Sequence, residues 1–208
     1  MTVYRIKGDG EFFIARLPEE LSQGLGTDFL AEYNDASPNS RRQKAQEWSE
    51  IPLQLYKGFT TDKTGQSTLF LDAINACNVV QGAEIIVSNS AKNKIEDYVK
   101  GECIFLPVNL LGAPQKYWLL YVTNILDCLV IKDSKLHKNR YSPKSVRHYS
   151  FDEKKLENTY LFRLPGHLGY LEDKDFSTSC FLNLVKNEEI RGFEFWFCNK
   201  PEDDPIVS

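Results

Sequence analysis

The chain has 208 residues and a formal net charge of −4, with 42% apolar, 26% charged and 12% aromatic residues. This balance is typical of a globular protein with a substantial core and excludes a chain that is disordered throughout. No apolar run approaches the roughly 18 residues of a membrane span, and the N-terminus lacks a basic leader and an apolar signal core. We therefore expect a cytoplasmic protein without membrane association.

The chain opens with an apparent hairpin. Residues from Val3 to Leu17 are predicted to form two short strands around the turn-like sequence Gly8-Asp9-Gly10. A looser stretch follows, with a polar helix predicted from Arg41 to Trp48. We interpret residues 1–75 as an N-terminal α/β lobe and residues 76–208 as an α+β domain, packed together as one compact unit.

The middle of the chain predicts a strand, a helix and a strand. The strand Ala83 to Val87 precedes a helix that Ser88 or Ser90 can cap and that Gly101 closes. Two apolar strands follow, Cys103 to Val108 and Tyr117 to Thr123. Because Pro107 has no amide proton, its strand is expected to lie at a sheet edge or to end there.

The run from Lys116 to Ile131 is nearly all apolar or aromatic and is interpreted as a core strand. It contains two polar residues with the same expected role, Asn124 and Asp127. A buried carboxylate must be hydrogen-bonded or paired, so both are predicted to be structural polar residues, with partner binding as the alternative.

The charge is unevenly distributed. The segment from Lys132 to Arg147 carries six basic residues and one aspartate, a net charge of +5, which leaves −9 for the rest of the chain. Lacking clear periodicity, it is predicted to be a surface loop. Its lysines and arginines, with Tyr141 among them and His148 and Tyr149 directly after, suit either a nucleic acid or a protein partner. The acidic body disfavours nucleic acid.

The last third repeats the earlier order of elements. After a strand from Tyr160 to Leu164, a helix capped by Asp173 or Asp175 is predicted to use Phe176 and Phe181, and a strand from Phe193 to Cys198 follows Gly192. The fold class is therefore α+β, with a mixed, mostly antiparallel sheet, a few flanking helices and a strand-helix-strand unit that recurs once. Alternation places Trp196 opposite Phe195 and Phe197, where an exposed aromatic residue would mark a partner site.

Recognisable catalytic and cofactor signatures are missing from the sequence. The five cysteines form no C-x-x-C pair, and phosphate loops, zinc-protease motifs and nucleophile elbows do not occur. We predict no cofactor, no metal and no enzymatic activity, and we expect the cysteines to be buried free thiols.

Four pieces of sequence, in this order, carry a family resemblance: Ile86-Val-Ser88 opening a helix that ends near Gly101; Phe105-Leu-Pro107; Tyr117-Trp-Leu-Leu with Asn124 and Asp127; and Gly192-Phe-Glu-Phe195. They resemble the immunity-protein family of bacterial polymorphic toxin systems. The resemblance covers about residues 85–197 and leaves the first 75 residues outside.

Membership in that family would imply a protein that binds a cognate toxin domain and occludes it without turnover. For the contact we predict the basic segment and the exposed aromatic residue, namely Lys135, Lys138, Arg140, Lys144 and Trp196. Two alternatives stay open: an enzyme of unrecognised type, and a regulatory nucleic-acid binder that uses residues 132–147.

Overall fold

The first strand of the protein takes part in two sheets. The computed structural model describes residues 1–16, 18, 38–57, 72–80, 83–113, 115–139, 142–165, 175–198 and 206–207. In it, β1 (Val3–Arg16) is one strand of 14 residues. Its first half pairs with β10 (Phe176–Thr178) and β11 (Phe193–Phe197), and its second half with β2 (Ile51–Lys57).

The predicted opening hairpin is therefore wrong. Gly8-Asp9-Gly10 is not a turn but the point at which β1 changes partners, and the pairing register of β1 shifts just after Asp9. Glycine in a strand interior marks a bend as readily as a turn, and here the strand continues through it.

The other elements follow in chain order: α1 (Pro38–Gln46), β3 (Ala73–Val80), β4 (Ala83–Ser88), α2 (Asn89–Ile95), β5 (Cys103–Leu110), β6 (Tyr117–Val122), β7 (Lys135–Asn139), β8 (Ser142–His148), β9 (Leu161–Phe162), α3 (Ser179–Asn187) and β12 (Ile206–Val207). Among the described strands, β1 pairs parallel with β3 and β2 with β5, while the other pairs are antiparallel. This confirms the α+β class with a mixed, mostly antiparallel sheet. No helix in the described ranges is long and apolar enough to cross a membrane.

Six strands pair in a closed ring, in the order β1, β2, β5, β6, β4, β3 and back to β1. Among the described side chains, those at alternate positions on these strands form one buried apolar cluster, the ring interior. Its members are Ala15, Ile51, Leu53, Ile74, Ala76, Ile86, Leu106, Val108, Leu110, Tyr117, Leu119 and Tyr121. The strands thus form a ring whose centre is filled by side chains.

The outer face of the ring carries the two helices that follow strands. Ile85 and Val87 of β4 and Leu120 of β6 share a second buried cluster with Phe181 of α3 and Phe195 of β11. The order β4–α2–β5 recurs as β10–α3–β11, which confirms the predicted repeat. Helix α2 lies across this cluster through Ala91 and Ile95, both fully buried.

The helix ends differ from the predicted ones. Ser88 caps α2, its hydroxyl accepting from the Ala91 amide at 3.1 Å, but the helix ends at Ile95 and a turn continues to Gly101. In the second unit the cap is Thr178 and not an aspartate. Phe176 precedes it in β10, where β1 and β9 pair with it, so neighbouring strands override the local capping signal.

Pro107 lies inside the sheet, so the predicted strand edge is wrong. Strand β5 pairs with β6 from Cys103 to Val108, including Pro107, and with β2 from Val108 to Leu110. The Pro107 carbonyl accepts a hydrogen bond from the Trp48 indole at 2.9 Å. A strand residue directs its carbonyl and its amide to the same side, so the missing donor faces Trp48 and not β6.

Asp72 joins the ring to the sheet that contains β11. Its carboxylate accepts hydrogen bonds from the Ser88 hydroxyl at 2.8 Å and from the Arg191 amide at 3.2 Å. The Arg191 carbonyl in turn accepts from the amides of Asp72 and Ala73. Next to this contact, Gly192 has a φ of +98°, and a Cβ placed there would lie 2.2 Å from the Ala73 carbonyl oxygen.

A second joint is made by Glu102, which links the start of β5 to β9. Its carboxylate accepts hydrogen bonds from the Tyr160 amide at 3.1 Å and from the Leu161 amide at 2.8 Å. Its carbonyl accepts from the amides of Thr123 and Asn124. Burial raises the pKa of the Glu102 carboxyl, and these backbone hydrogen bonds oppose the rise without cancelling it.

We predict that Gly192→Ala lowers the free energy of unfolding by about 3 kcal/mol, because it combines a left-handed φ with contact against rigid backbone. Gly112→Ala is the matched control, since Gly112 also has a positive φ, +78°, but open space around its Cβ position. It should cost only about 1 kcal/mol. Urea unfolding of both variants tests this, and equal losses would contradict the steric account.

We predict that Glu102→Gln lowers stability by about 1–2 kcal/mol near pH 5, since one of two acceptor oxygens is lost. The pKa is raised on folding, so the Glu102 contribution is complete below its ordinary value of 4.5 and declines as pH rises through the folded value. The stability difference between wild type and Glu102→Gln should therefore narrow from pH 5 to pH 8.

Urea titrations of both proteins at several pH values measure that difference. Glu157→Gln, at an exposed position, removes the same charge elsewhere and is the control. An equal trend in both variants would assign the effect to net charge and not to the Glu102 contact. A difference that widens with pH would mean that the hydrogen bonds outweigh burial and lower the Glu102 pKa.

Candidate functional site

The basic segment is a β-hairpin and not the predicted loop. Strands β7 and β8 pair antiparallel in a two-stranded sheet separate from the main one, with His137 opposite Ser145 and Asn139 opposite Ser142. A half-buried strand is recognised by apolar and polar residues that alternate. In this segment charged and polar residues occupy both the odd and the even positions, so the sequence shows no strand pattern. We call β7 and β8 the basic hairpin.

Three of the four predicted basic contact residues lie on these strands. Lys135 and Lys138 belong to β7 and Lys144 to β8, whereas Arg140 lies outside the described residues. Lys138 and Lys144 both lie in the irregular stretch between the pairs His137–Ser145 and Asn139–Ser142. The hairpin therefore brings positions nine or fewer residues apart into a compact basic element.

The base of the basic hairpin is held by hydrogen bonds. The Ser134 hydroxyl donates to the Val130 carbonyl at 2.9 Å and accepts from the Ser150 amide at 3.0 Å. The Val130 amide donates to the Ser150 carbonyl at 2.8 Å, and the Tyr149 amide to the Cys198 carbonyl at 3.1 Å. Both ends of the hairpin are thus fixed, one of them to the chain just after β11.

Aromatic packing supports the same base. The Tyr149 ring stacks on Phe151 with centroids 5.7 Å apart and meets Phe176 edge-on at 5.4 Å. Phe162 stacks on Phe176 at 5.4 Å. An isolated two-stranded sheet is marginally stable in water, so this buried aromatic cluster supplies the support that the basic hairpin needs.

Trp196 lies on the half-exposed side of β11. Phe193 and Phe195 are fully buried, while Trp196 and Glu194 alternate with them on the opposite face. The Trp196 indole donates to the Glu194 carboxylate at 3.2 Å, and the guanidinium carbon of Arg5 lies 5.7 Å from the ring centroid. Trp196 is two residues from Cys198, so the structure brings it to the sheet end where the basic hairpin is anchored.

The two predicted structural polar residues have different environments. The Asn124 side chain donates to the Leu161 carbonyl at 3.0 Å and so belongs to the joint made by Glu102. Asp127 is exposed, and its backbone carbonyl accepts from the Lys155 ammonium at 2.6 Å. The predicted core strand ends at Val122, so Asp127 lies in irregular chain beyond it. A structural role for the Asp127 carboxylate stays a prediction.

Sequence reasoning missed several polar residues and predicted Asp175 only as a possible helix cap. Arg163 and Asp175 form a buried ion pair at 3.6 Å, and Asp175 also accepts from the Ile6 amide through its carbonyl. Asp72, Glu102 and Arg5 were missed too. The one local signal was for Arg5, a charged residue alternating with apolar ones in Val3-Tyr-Arg-Ile6. The rest depend on distant parts of the chain.

The described cysteines are free thiols. Cys103, Cys128 and Cys198 are buried as predicted, Cys180 is exposed, and the side chain of Cys77 lies outside the described residues. Burial raises the pKa of Cys103 well above its ordinary value and that of Cys128 to about 12, so both are protonated at neutral pH. The described residues contain no cluster of side chains suited to holding a metal ion.

Comparison with known proteins gives one informative match. The model of the immunity protein family Imm11 matches residues 32–200, which include the basic hairpin, β11 and all four pieces of sequence that carry the resemblance. The match also begins well upstream of residue 85. No curated protein matches the chain. The match covers most of the 208 residues, and the chain therefore belongs to the immunity protein family Imm11.

Proposed function

We propose that this protein neutralises a cognate bacterial toxin domain by binding it directly and occluding it. The observation that carries this proposal is the family match over residues 32–200. In this proposal the protein acts by occupancy, in the cytoplasm of the cell it protects, and it needs neither a cofactor nor turnover.

The basic hairpin supports the proposal as the first contact with the toxin. It places most of a net +5 segment on a two-stranded sheet that is not part of the main sheet, while the rest of the chain carries −9. Charge of one sign concentrated on one element raises the rate of encounter with an oppositely charged surface. We therefore propose Lys135, Lys138, Arg140 and Lys144 as contacts with an acidic surface of the toxin.

Trp196 supplies the second proposed contact. Tryptophan is among the residues that contribute most to binding energy when a partner covers them, and Trp196 is only partly covered. Its position near the hairpin base lets one partner reach both. A steering element beside an aromatic anchor suits a tight inhibitory complex.

Co-expression tests the function itself. We expect the gene next to this one to encode a larger protein whose C-terminal domain kills the host cell, and we expect this chain to rescue growth. The two proteins should also elute together from a sizing column. Failure to rescue, together with separate elution, would refute the immunity function.

Charge removal tests the proposed first contact. Replacing Lys135, Lys138, Arg140 and Lys144 by Gln should slow association with the toxin domain by roughly tenfold at low salt and flatten its dependence on salt. The matched control replaces four exposed lysines outside the hairpin, Lys100, Lys116, Lys154 and Lys186, by Gln. Both variants lose the same charge, so equal slowing would assign the effect to net charge and not to the hairpin.

A further inference from the structure

A row of large side chains crosses four strands on the face of the sheet beside the basic hairpin. Direct strand pairing places Phe162 opposite Phe176, Phe176 opposite Arg5, and Arg5 opposite Trp196. Residues directly opposite in antiparallel pairs project to the same side, so the four side chains are neighbours. Tyr149 and Phe151 cover the phenylalanine end of this row, and the Trp196 end is half-exposed.

Arg5 is incompletely bonded in this row. Its guanidinium lies against the Trp196 ring, and its Nε atom is buried without a hydrogen-bond acceptor. Within the described part of the chain, no carboxylate forms an ion pair with Arg5. A buried donor without an acceptor is costly, and the guanidinium lies within cation–π distance of the Trp196 ring.

The neighbouring carboxylate does not fill this role. Glu194 accepts a hydrogen bond from the Trp196 indole and stands opposite Lys7 in the strand pairing. The Trp196 end of the row therefore offers one positively charged, hydrogen-bonding group on an aromatic plane. The planar fork of arginine matches a carboxylate in two parallel hydrogen bonds.

We propose that Arg5, held against Trp196, binds an Asp or Glu side chain of the toxin at the centre of the interface. This inference rests on the proposed function and adds to it the residue and the chemistry of one contact. In the complex, the carboxylate pairs with the guanidinium fork while the toxin covers Trp196. The basic hairpin next to it attracts the same acidic surface.

The two kinds of contact are separable by kinetics. A steering charge acts mainly on the association rate, whereas a charge paired inside a desolvated contact acts mainly on the dissociation rate. Surface plasmon resonance with the immobilised toxin domain from the neighbouring gene measures both. We expect Arg5→Lys, which keeps the charge and removes the fork, to dissociate roughly tenfold faster or more with little change in association.

Arg42→Lys is the matched control, because Arg42 is an exposed arginine whose guanidinium donates to the Gly101 carbonyl and which does not belong to this row. It should leave both rates within about twofold of wild type. A scan that replaces each acidic residue of the toxin domain by its amide should find one whose effect is lost in the Arg5→Lys background. Thermal unfolding checks that Arg5→Lys is folded, and Trp196→Phe repeats the test without altering Arg5.

If the wild type binds the toxin domain and the dissociation rate of Arg5→Lys is within twofold of the wild-type rate, the Arg5 contact is refuted. The proposed function would then still stand. Additive effects of Arg5→Lys with every acidic replacement would overturn it as well. Absence of wild-type binding to the toxin domain would overturn both proposals at once.

Discussion

The fold depends on one strand that cannot be assigned to a single sheet. Strand β1 continues through Gly8-Asp9-Gly10, closing the ring with its second half and forming the centre of the outer sheet, which also contains β9, β10, β11 and β12, with its first. Because the backbone is continuous, the two sheets cannot separate without breaking the β1 pairings in one of them. That residues 1–75 and 76–208 form one compact unit stays a prediction, which this shared strand favours.

Two polar joints connect the sheets that share β1. Asp72 joins the ring to the chain entering β11, and Glu102 joins it to the chain entering β9. Both act through carboxylates that accept backbone amides, so they orient main chain and not only side chains. The ring and the outer sheet also share the apolar cluster to which α2 and α3 contribute. Arg5, Trp196 and the anchored hairpin therefore belong to a sheet that polar and apolar contacts hold against the ring.

Local signals predicted a large part of this fold. The Ser88 cap, the strands β4 and β11 and the recurring strand-helix-strand unit follow from spacings of a few residues. The wrong predictions depend on contacts with distant parts of the chain. A glycine pair permits either a turn or a bend, and in β1 the pairing with three distant strands decides between them. Likewise, Glu102 contacts residues 58 and 59 positions away, and Arg5 meets Trp196 across nearly the whole chain. No local pattern carries such information, which is why the candidate site was only half predicted.

We propose that the toxin covers the surface formed by the basic hairpin and the Trp196 end of the outer sheet. Hydrogen–deuterium exchange of this chain, free and with its toxin domain, measures which segments become covered. We expect slower exchange in residues 135–148 and 193–198 on binding, with the ring strands β2 and β5 unchanged. Protection confined to the ring or to α2, with the hairpin unaltered, would refute this interface.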